Sequence, residues 1–155
     1  MVDDAVKLNV ERLESGAAML HMLDDVSFDV VGAAWVYTKS VSRWHYLLIT
    51  SMVDTKGPRW IYERLLQVFS KINLPEGITP LDIVVASPHE QAFRRMKLEV
   101  EWDGYIRDIA LPTQDLTIGD LETNAFFAYR FQLAKSKISD GSRKFDLRVR
   151  QLLAA

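Results

Sequence analysis

The feature that most constrains the fold is a run of β-branched and aromatic residues between positions 28 and 53, interrupted by a short polar connector at 39–41. Such residues favour strands, and a connector of this length is typical of a β-hairpin. In the first strand, at 28–38, apolar residues occupy both faces, so both faces need cover. The sequence therefore predicts a central strand, and Gly32 within it indicates a bulge or the close approach of another backbone.

Two apolar stripes at helical spacing predict helices on either side of this hairpin. The first helix is predicted at 3–23 with Asp4 as its N-cap, and the second at 58–72 with Pro58 in its first turn. The stripe of the first helix consists of Val6, Val10, Leu13, Ala17 and Leu20. A single apolar face on each helix is what packing against a sheet requires.

A capping box marks the third predicted helix. Ser87, Pro88 and Glu90 stand at its N-cap, first and third positions, so we expect a helix over 88–97. The apolar residues at 81–86 just before it predict a short buried strand.

The C-terminal part of the chain predicts hairpins. Asp103 and Gly104 suit a tight turn between strands at 98–102 and 105–111, whereas 112–125 lacks periodicity and predicts a long loop. Alternating apolar residues then predict two strands, one running from Phe127 to Leu133 and one from Phe145 to Val149. Ser139 to Ser142 would form the turn between them.

These elements predict a single α+β domain over residues 1–155. We expect a mostly antiparallel sheet of about six to seven strands in hairpins, with about three helices packed on one face. The chain has no cysteine, which excludes disulfide and thiolate chemistry. It also has neither a secretory signal nor an apolar stretch long enough to span a bilayer, so we expect a soluble, cytoplasmic protein that does not contact membranes.

Motifs for common catalytic chemistry are missing from the sequence. The phosphate-binding glycine motifs and the serine-hydrolase elbow do not occur, and the three histidines are not spaced as metal ligands. We therefore expect no cofactor, no metal site and no catalysis. The best small-ligand candidate is the strand-to-helix junction, where free N–H groups attract anions; it would use Ser87 and His89, with Arg94 one turn along. Ordinary helix capping explains the same residues.

The charges are distributed unevenly along the chain. Residues 126–155 hold seven basic and two acidic side chains, while the remaining 125 hold twelve basic and nineteen acidic ones. A final strand with Phe145 buried would project Lys144, Arg148 and Arg150 together beside Arg130, as a positive strip able to bind nucleic acid. A solvated face, or pairing with acidic groups on another copy, would account for the strip as well.

Four aromatic residues of the hairpin provide the candidate interface. Trp35, Tyr37, Trp44 and Tyr46 are expected in the core, but on an uncovered outer face they would mark a partner or dimer interface. The leading hypothesis is therefore a small accessory or interaction protein without catalytic activity that self-associates as a homo-oligomer or binds another protein. The alternatives are a nucleic-acid-associated protein that uses the basic hairpin, and a ligand binder or enzyme at the Ser87–His89 junction.

Overall fold

The structure is a computed structural model that describes residues 8–91, 93–95, 111–118, 121–131 and 141–155. The predicted N-cap Asp4, the strand predicted at 98–102, the Asp103–Gly104 turn and the first half of the turn predicted at 139–142 lie outside these residues.

A sheet of five strands lies at the centre of the described residues. The strands are β1 (Gly32–Thr38), β2 (Arg43–Ile49), β3 (Ile83–Ala86), β4 (Leu111–Ile118) and β5 (Leu121–Phe131). Their order is β3-β2-β1-β5-β4, so β1 is the central strand, as its two apolar faces predicted. β1 and β2 form the predicted antiparallel hairpin, in which Gly32 lies opposite Ile49.

Gly32 lies next to a bulge, which is one of the two alternatives that the sequence indicated. The register of β1 against β5 shifts between Ala33 and Ala34, one residue after the glycine. The groups that approach Gly32 most closely are side chains and not another backbone. A Cβ at position 32 would lie 2.9 Å from the ring of Phe131 and 3.0 Å from that of Phe93. The glycine therefore leaves room for two aromatic rings beside a bulged strand.

The α+β class is confirmed, but the sheet is mixed rather than antiparallel throughout. β3 lies parallel to β2, and the long helix between them makes the crossover that a parallel pair needs. The described sheet also has five strands, fewer than the predicted six to seven.

Three helices have defined bounds: α1 (Val10–Asp25), α2 (Met52–Lys71) and α3 (Ser142–Ala154), and residues 91 and 93–95 are also helical. α1 begins later than predicted, because Asn9 is its N-cap and accepts a hydrogen bond from the Arg12 N–H. α2 begins earlier than predicted, and its backbone leaves helical geometry at Gly57, which has a φ of 81°. The predicted first residue, Pro58, follows this break.

The strand predicted at 145–149 is wrong, because these residues belong to α3. Phe145 and Val149 lie one helical turn apart and are buried, whereas Leu147 between them is 57% exposed. A strand would have turned all three to one face. The basic C-terminal segment is therefore a helix and not one arm of a hairpin.

The loop predicted at 112–125 is also wrong, because β4 and β5 run through it as an antiparallel pair. β4 contains Pro112, which cannot donate a ladder hydrogen bond. β4 is an edge strand of the described sheet, which is where proline is tolerated.

The core has one cluster on each face of the sheet. α1, α2 and α3 cover the first face and bury side chains such as Leu23, Leu65 and Phe145 against Trp35 and Tyr46. The predicted helices at 3–23 and 58–72 therefore share one face of the sheet as expected, but the third predicted helix, at 88–97, does not, because Phe93 packs on the other face. The second face holds Val36, Leu47, Phe126 and other apolar residues, together with Phe93 from the helical residues 93–95.

Candidate functional site

The strand-to-helix junction brings Ser87 and His89 together around a carboxylate that the sequence analysis did not include. Asp54, in the first turn of α2, accepts a 2.7 Å hydrogen bond from the Ser87 hydroxyl. The Ser87 oxygen in turn accepts the N–H of His89 at 3.1 Å. The His89 Nε2 atom lies 3.7 Å from the second carboxylate oxygen of Asp54. Asp54 is 33 residues from Ser87, so no local pattern could have indicated this contact.

This cluster does not have the arrangement of a catalytic triad. A nucleophilic serine needs an imidazole nitrogen to take its proton, with the carboxylate behind the imidazole. Here the Asp54 carboxylate lies between the Ser87 hydroxyl and the His89 imidazole, and it is the carboxylate that accepts the hydrogen bond from the serine. Ser87 is only 8% exposed, whereas the His89 side chain is 69% exposed. In this geometry Ser87 caps the turn at residues 87–89 and its hydroxyl bonds the turn to Asp54 at the start of α2.

Arg94, the third residue of the predicted ligand site, lies on the surface. The described contacts of Ser87 and His89 run to Asp54 and to each other and do not include Arg94. The structure therefore joins two of the three predicted residues and leaves the third outside their contacts.

The four aromatic residues of the hairpin are core residues. Trp35, Tyr37, Trp44 and Tyr46 are all no more than 7% exposed. Trp35 and Tyr46 pack edge to face, with ring centres 5.1 Å apart. Their polar atoms bind α1: the Trp35 Nε1–H donates to the Arg12 carbonyl at 2.9 Å, and the Tyr46 hydroxyl donates to the Gly16 carbonyl at 2.7 Å. These four side chains are therefore covered and do not form the exposed outer face that an interface would need.

A cleft that the sequence gave no sign of lies beside the start of α1. It has a volume of about 330 Å³ and contains Trp35 at one side. The Ser15 hydroxyl donates to the Glu76 carbonyl at 2.6 Å, so the 73–80 loop closes against the helix across 61 residues of sequence. The Arg12 guanidinium lies 5.4 Å from the Trp35 ring centre, and three glutamates complete the polar lining. The other lining residues are Asn9, Glu11, Glu14, Ser15, Glu76 and Gly77.

The predicted basic strip is divided between two elements. Arg130 lies on β5 and forms a two-pronged ion pair with Asp24 of α1, with N–O distances of 2.9 and 2.8 Å. The hydrogen bonds from Arg130 to Asp24 raise the pKa of Arg130 above its ordinary value. Arg130 is therefore already neutralised by Asp24. Lys144, Arg148 and Arg150 remain together on the exposed side of α3.

α3 packs against α2, and together their basic side chains form the strongest charge feature of the described residues. Trp60 contacts Phe145, with ring centres 6.2 Å apart, and Arg64 binds Asp146 at 2.9 Å. The two helices carry eight basic and three acidic residues, although the whole chain has a net charge of −2. We call these eight residues the basic surface: Lys56, Arg59, Arg64, Lys71, Arg143, Lys144, Arg148 and Arg150.

Two of the three acidic residues of α2 and α3, Glu63 and Asp146, are bound by arginines of the basic surface. Asp146 accepts from Arg64 and, at 3.0 Å, from Arg150, while Glu63 accepts from Arg59 at 3.1 Å. The Arg64 guanidinium also lies 3.8 Å from the centre of the Trp60 ring, which fixes its position. One carboxylate therefore neutralises part of two arginines, and the remaining positive charge faces solvent.

Comparison with known proteins gave no match among family models, curated protein sequences or solved structures. Within the described ranges, no helix is long and apolar enough to cross a membrane. The same residues contain no group of three or more histidine and carboxylate side chains placed to hold a metal ion.

Proposed function

We propose that this chain is a small binding protein without catalytic activity and that it holds an anionic partner on the basic surface of α2 and α3. One observation carries the proposal: α3 exposes four basic side chains, and its single acidic residue, Asp146, is already bound by Arg64 and Arg150. An exposed helix face with this composition attracts anions rather than apolar partners.

The acidic balance of the whole chain does not cancel this local attraction. At physiological salt the field of an exposed charge is screened over about 8 Å. A partner that touches α3 therefore responds mainly to α2 and α3, which hold five more basic than acidic residues. Asp29 lies beside Gly141 at the start of α3 and adds one acidic group near that end of the helix.

Self-association through the aromatic hairpin would need exposed aromatic side chains, but Trp35 and Tyr46 are only 1% and 0% exposed. Exposed large apolar side chains on α2 and α3 include Leu66 and Leu147. Single exposed residues of this kind are ordinary on a protein surface. The proposal therefore rests on charge, and the partner it favours is one with a high density of negative charge.

Chromatography on immobilised heparin tests this proposal, because heparin is a polyanion without base or peptide chemistry. We expect retention at 50 mM salt and elution by a salt gradient. Replacing Lys144 and Arg148 by glutamate should move elution to clearly lower salt, since both side chains lie on the exposed face of α3.

The matched control changes the same charge elsewhere. Lys39→Glu with Arg94→Glu alters the net charge equally at two exposed positions outside α2 and α3. Elution of this control should stay near that of the wild type. Equal losses for both double variants would mean that only net charge matters, and passage of the wild type through the column at 50 mM salt would refute the proposal.

A further inference from the structure

We infer that the anionic partner is nucleic acid, bound through its phosphate backbone along α3 without selection for base sequence. This inference rests on the proposed function and names the partner of the same basic surface.

The length of α3 matches several phosphates of one strand. A helix of 13 residues is about 20 Å long at a rise of 1.5 Å per residue. Duplex DNA presents one phosphate per strand every 3.4 Å or so along its axis, so roughly six phosphates of one strand lie along a segment of that length. The four exposed basic residues of α3 can therefore reach phosphates without crowding them.

The cations of α3 are spread around its exposed side rather than gathered at one point. Successive residues are separated by about 100° around a helix axis, so Arg150 and Arg143 lie toward one flank and Lys144 and Arg148 toward the other. Lys144 and Arg148 are four residues apart and therefore lie one above the other. A polymer with evenly repeated charge can engage both flanks, whereas one carboxylate on a protein partner would engage one or two of these groups.

Because its apolar face is packed on the domain, α3 can contact nucleic acid only with its solvent-facing side. Phe145 and Val149 are 0% and 1% exposed and hold the helix against α2 and the sheet. The side that faces solvent then presents four basic side chains together with the exposed leucines Leu147 and Leu153. Base recognition needs a helix or ribbon that enters a groove with side chains matched to base edges, whereas long cations on a helix that remains packed on its domain contact phosphates.

A protein partner is less well matched to the same surface. Stable protein interfaces have a largely apolar, desolvated centre, and the charged groups lie at the rim. Here three leucines of α2 and α3 are exposed, Leu66, Leu147 and Leu153, and Leu147 lies one turn from Arg143, Lys144 and Arg150. The surface resembles a phosphate-binding face, in which positive charge is the main component.

Fluorescence anisotropy with labelled 20-mer DNA of random sequence, as duplex and as single strand, tests the inference over 50 to 200 mM salt. Because Arg150 is paired with Asp146, we expect three phosphate contacts, from Arg143, Lys144 and Arg148. They predict a slope of about −2.7 for log K against log salt on duplex, which is about 40-fold weaker binding across that range. Lys144→Gln with Arg148→Gln should reduce the slope to about −0.9 and weaken binding about 60-fold at 0.1 M salt. Lys39→Gln with Arg94→Gln is the control and should bind like the wild type.

Parallel titrations with polyglutamate and with vesicles of anionic phospholipid separate the inference from the proposed function. Tight binding to either of these, with none to duplex or single-stranded DNA, would overturn nucleic acid as the partner and leave the anion-binding surface standing. Wild-type binding to DNA that varies by more than tenfold among unrelated sequences would overturn the backbone mode. Binding to none of the probes would refute both proposals.

Discussion

Gly16→Ala should destabilise the protein, although intrinsic helix propensity predicts the opposite. Gly16 lies inside α1 and is buried under aromatic side chains of the sheet. A Cβ at this position would lie 2.6 Å from the Trp35 Nε1 atom and still closer to the Tyr129 hydroxyl. A Cβ cannot rotate away from its own backbone, so α1 or the two rings would have to move.

Three hydrogen bonds depend on this close approach. Tyr46 and Tyr129 donate to the Gly16 and Leu13 carbonyls, each at 2.7 Å, and Trp35 donates to the Arg12 carbonyl. Each such bond contributes about 1 kcal/mol, and overpacking of a core costs about 1–3 kcal/mol. The gain from replacing glycine by alanine in a helix is about 1 kcal/mol. If the shift breaks one of the three bonds and the overpacking costs about 2 kcal/mol, the net loss after the propensity gain is about 2 kcal/mol, which corresponds to a fall in Tm of roughly 4–8 °C.

Urea denaturation followed by tryptophan fluorescence measures this difference. Ala17→Gly, at the exposed neighbouring position, is the control and should cost about 1 kcal/mol through propensity alone. Tyr129→Phe removes the hydroxyl nearest to the new methyl group, so Gly16→Ala should cost less in that background than in the wild type. A Gly16→Ala variant as stable as the wild type, or more stable, would refute this account of how α1 is held.

Three further changes test other parts of the structure. Gly57 has φ 81° and ψ 161°, a region essentially restricted to glycine. Gly57→Ala should therefore lower the free energy of unfolding in urea by about 1–3 kcal/mol, even though no atom would contact the new methyl group. An unchanged urea midpoint would contradict the break in α2. Partial burial acts to raise the pKa of Asp82, but hydrogen bonds from Thr79 and Arg43 outweigh it and hold that pKa below its ordinary value. Since the folded-state pKa is the lower one, this stabilisation is present above the ordinary aspartate pKa near 4 and is lost as the pH falls through the folded value. Asp82→Asn should therefore lower Tm at pH 7 and hardly change it at pH 2, and equal losses at both pH values would exclude the ionic origin. Ser87→Ala removes the hydrogen bond to Asp54 and should lower the free energy of unfolding in urea by about 1 kcal/mol, while elution from heparin stays the same. A changed elution would indicate that the Ser87–His89 junction takes part in anion binding.

The parts of the fold that depend on neighbouring residues could be predicted from the sequence. The hairpin of β1 and β2 is specified by two β-prone segments and their short connector, and the central position of β1 by its two apolar faces. α3 could not be assigned in the same way. Phe145, Leu147 and Val149 fit a period of two, whereas Phe145, Val149 and Leu152 fit a helix, and only the exposure of Leu147 decides between them.

The candidate site depended on contacts between distant segments. The excess of positive charge near the C-terminus was visible, and Lys144 and Arg148 belong to it in the folded protein as well. The sequence places Arg130 in the same strip because it predicts a strand at 145–149 beside it, and the ion-pair partner of Arg130, Asp24, lies 106 residues away along the chain. The contribution of α2 was missed for the same reason, since Arg64 meets Asp146 across 82 residues.

The pairing of β1 with β5 has a consequence for how the chain is made. Gly32 lies opposite Phe131, about a hundred residues later, so one edge of the central strand has no partner when β1 leaves the ribosome. At a synthesis rate of roughly 5–20 residues per second, that edge stays open for about 5–20 s. An unpaired edge that is apolar on both faces is a template for pairing with other chains. The nascent protein should therefore be most prone to aggregation in this interval, and a truncation that ends before β5 should accumulate in the insoluble fraction or bound to chaperones.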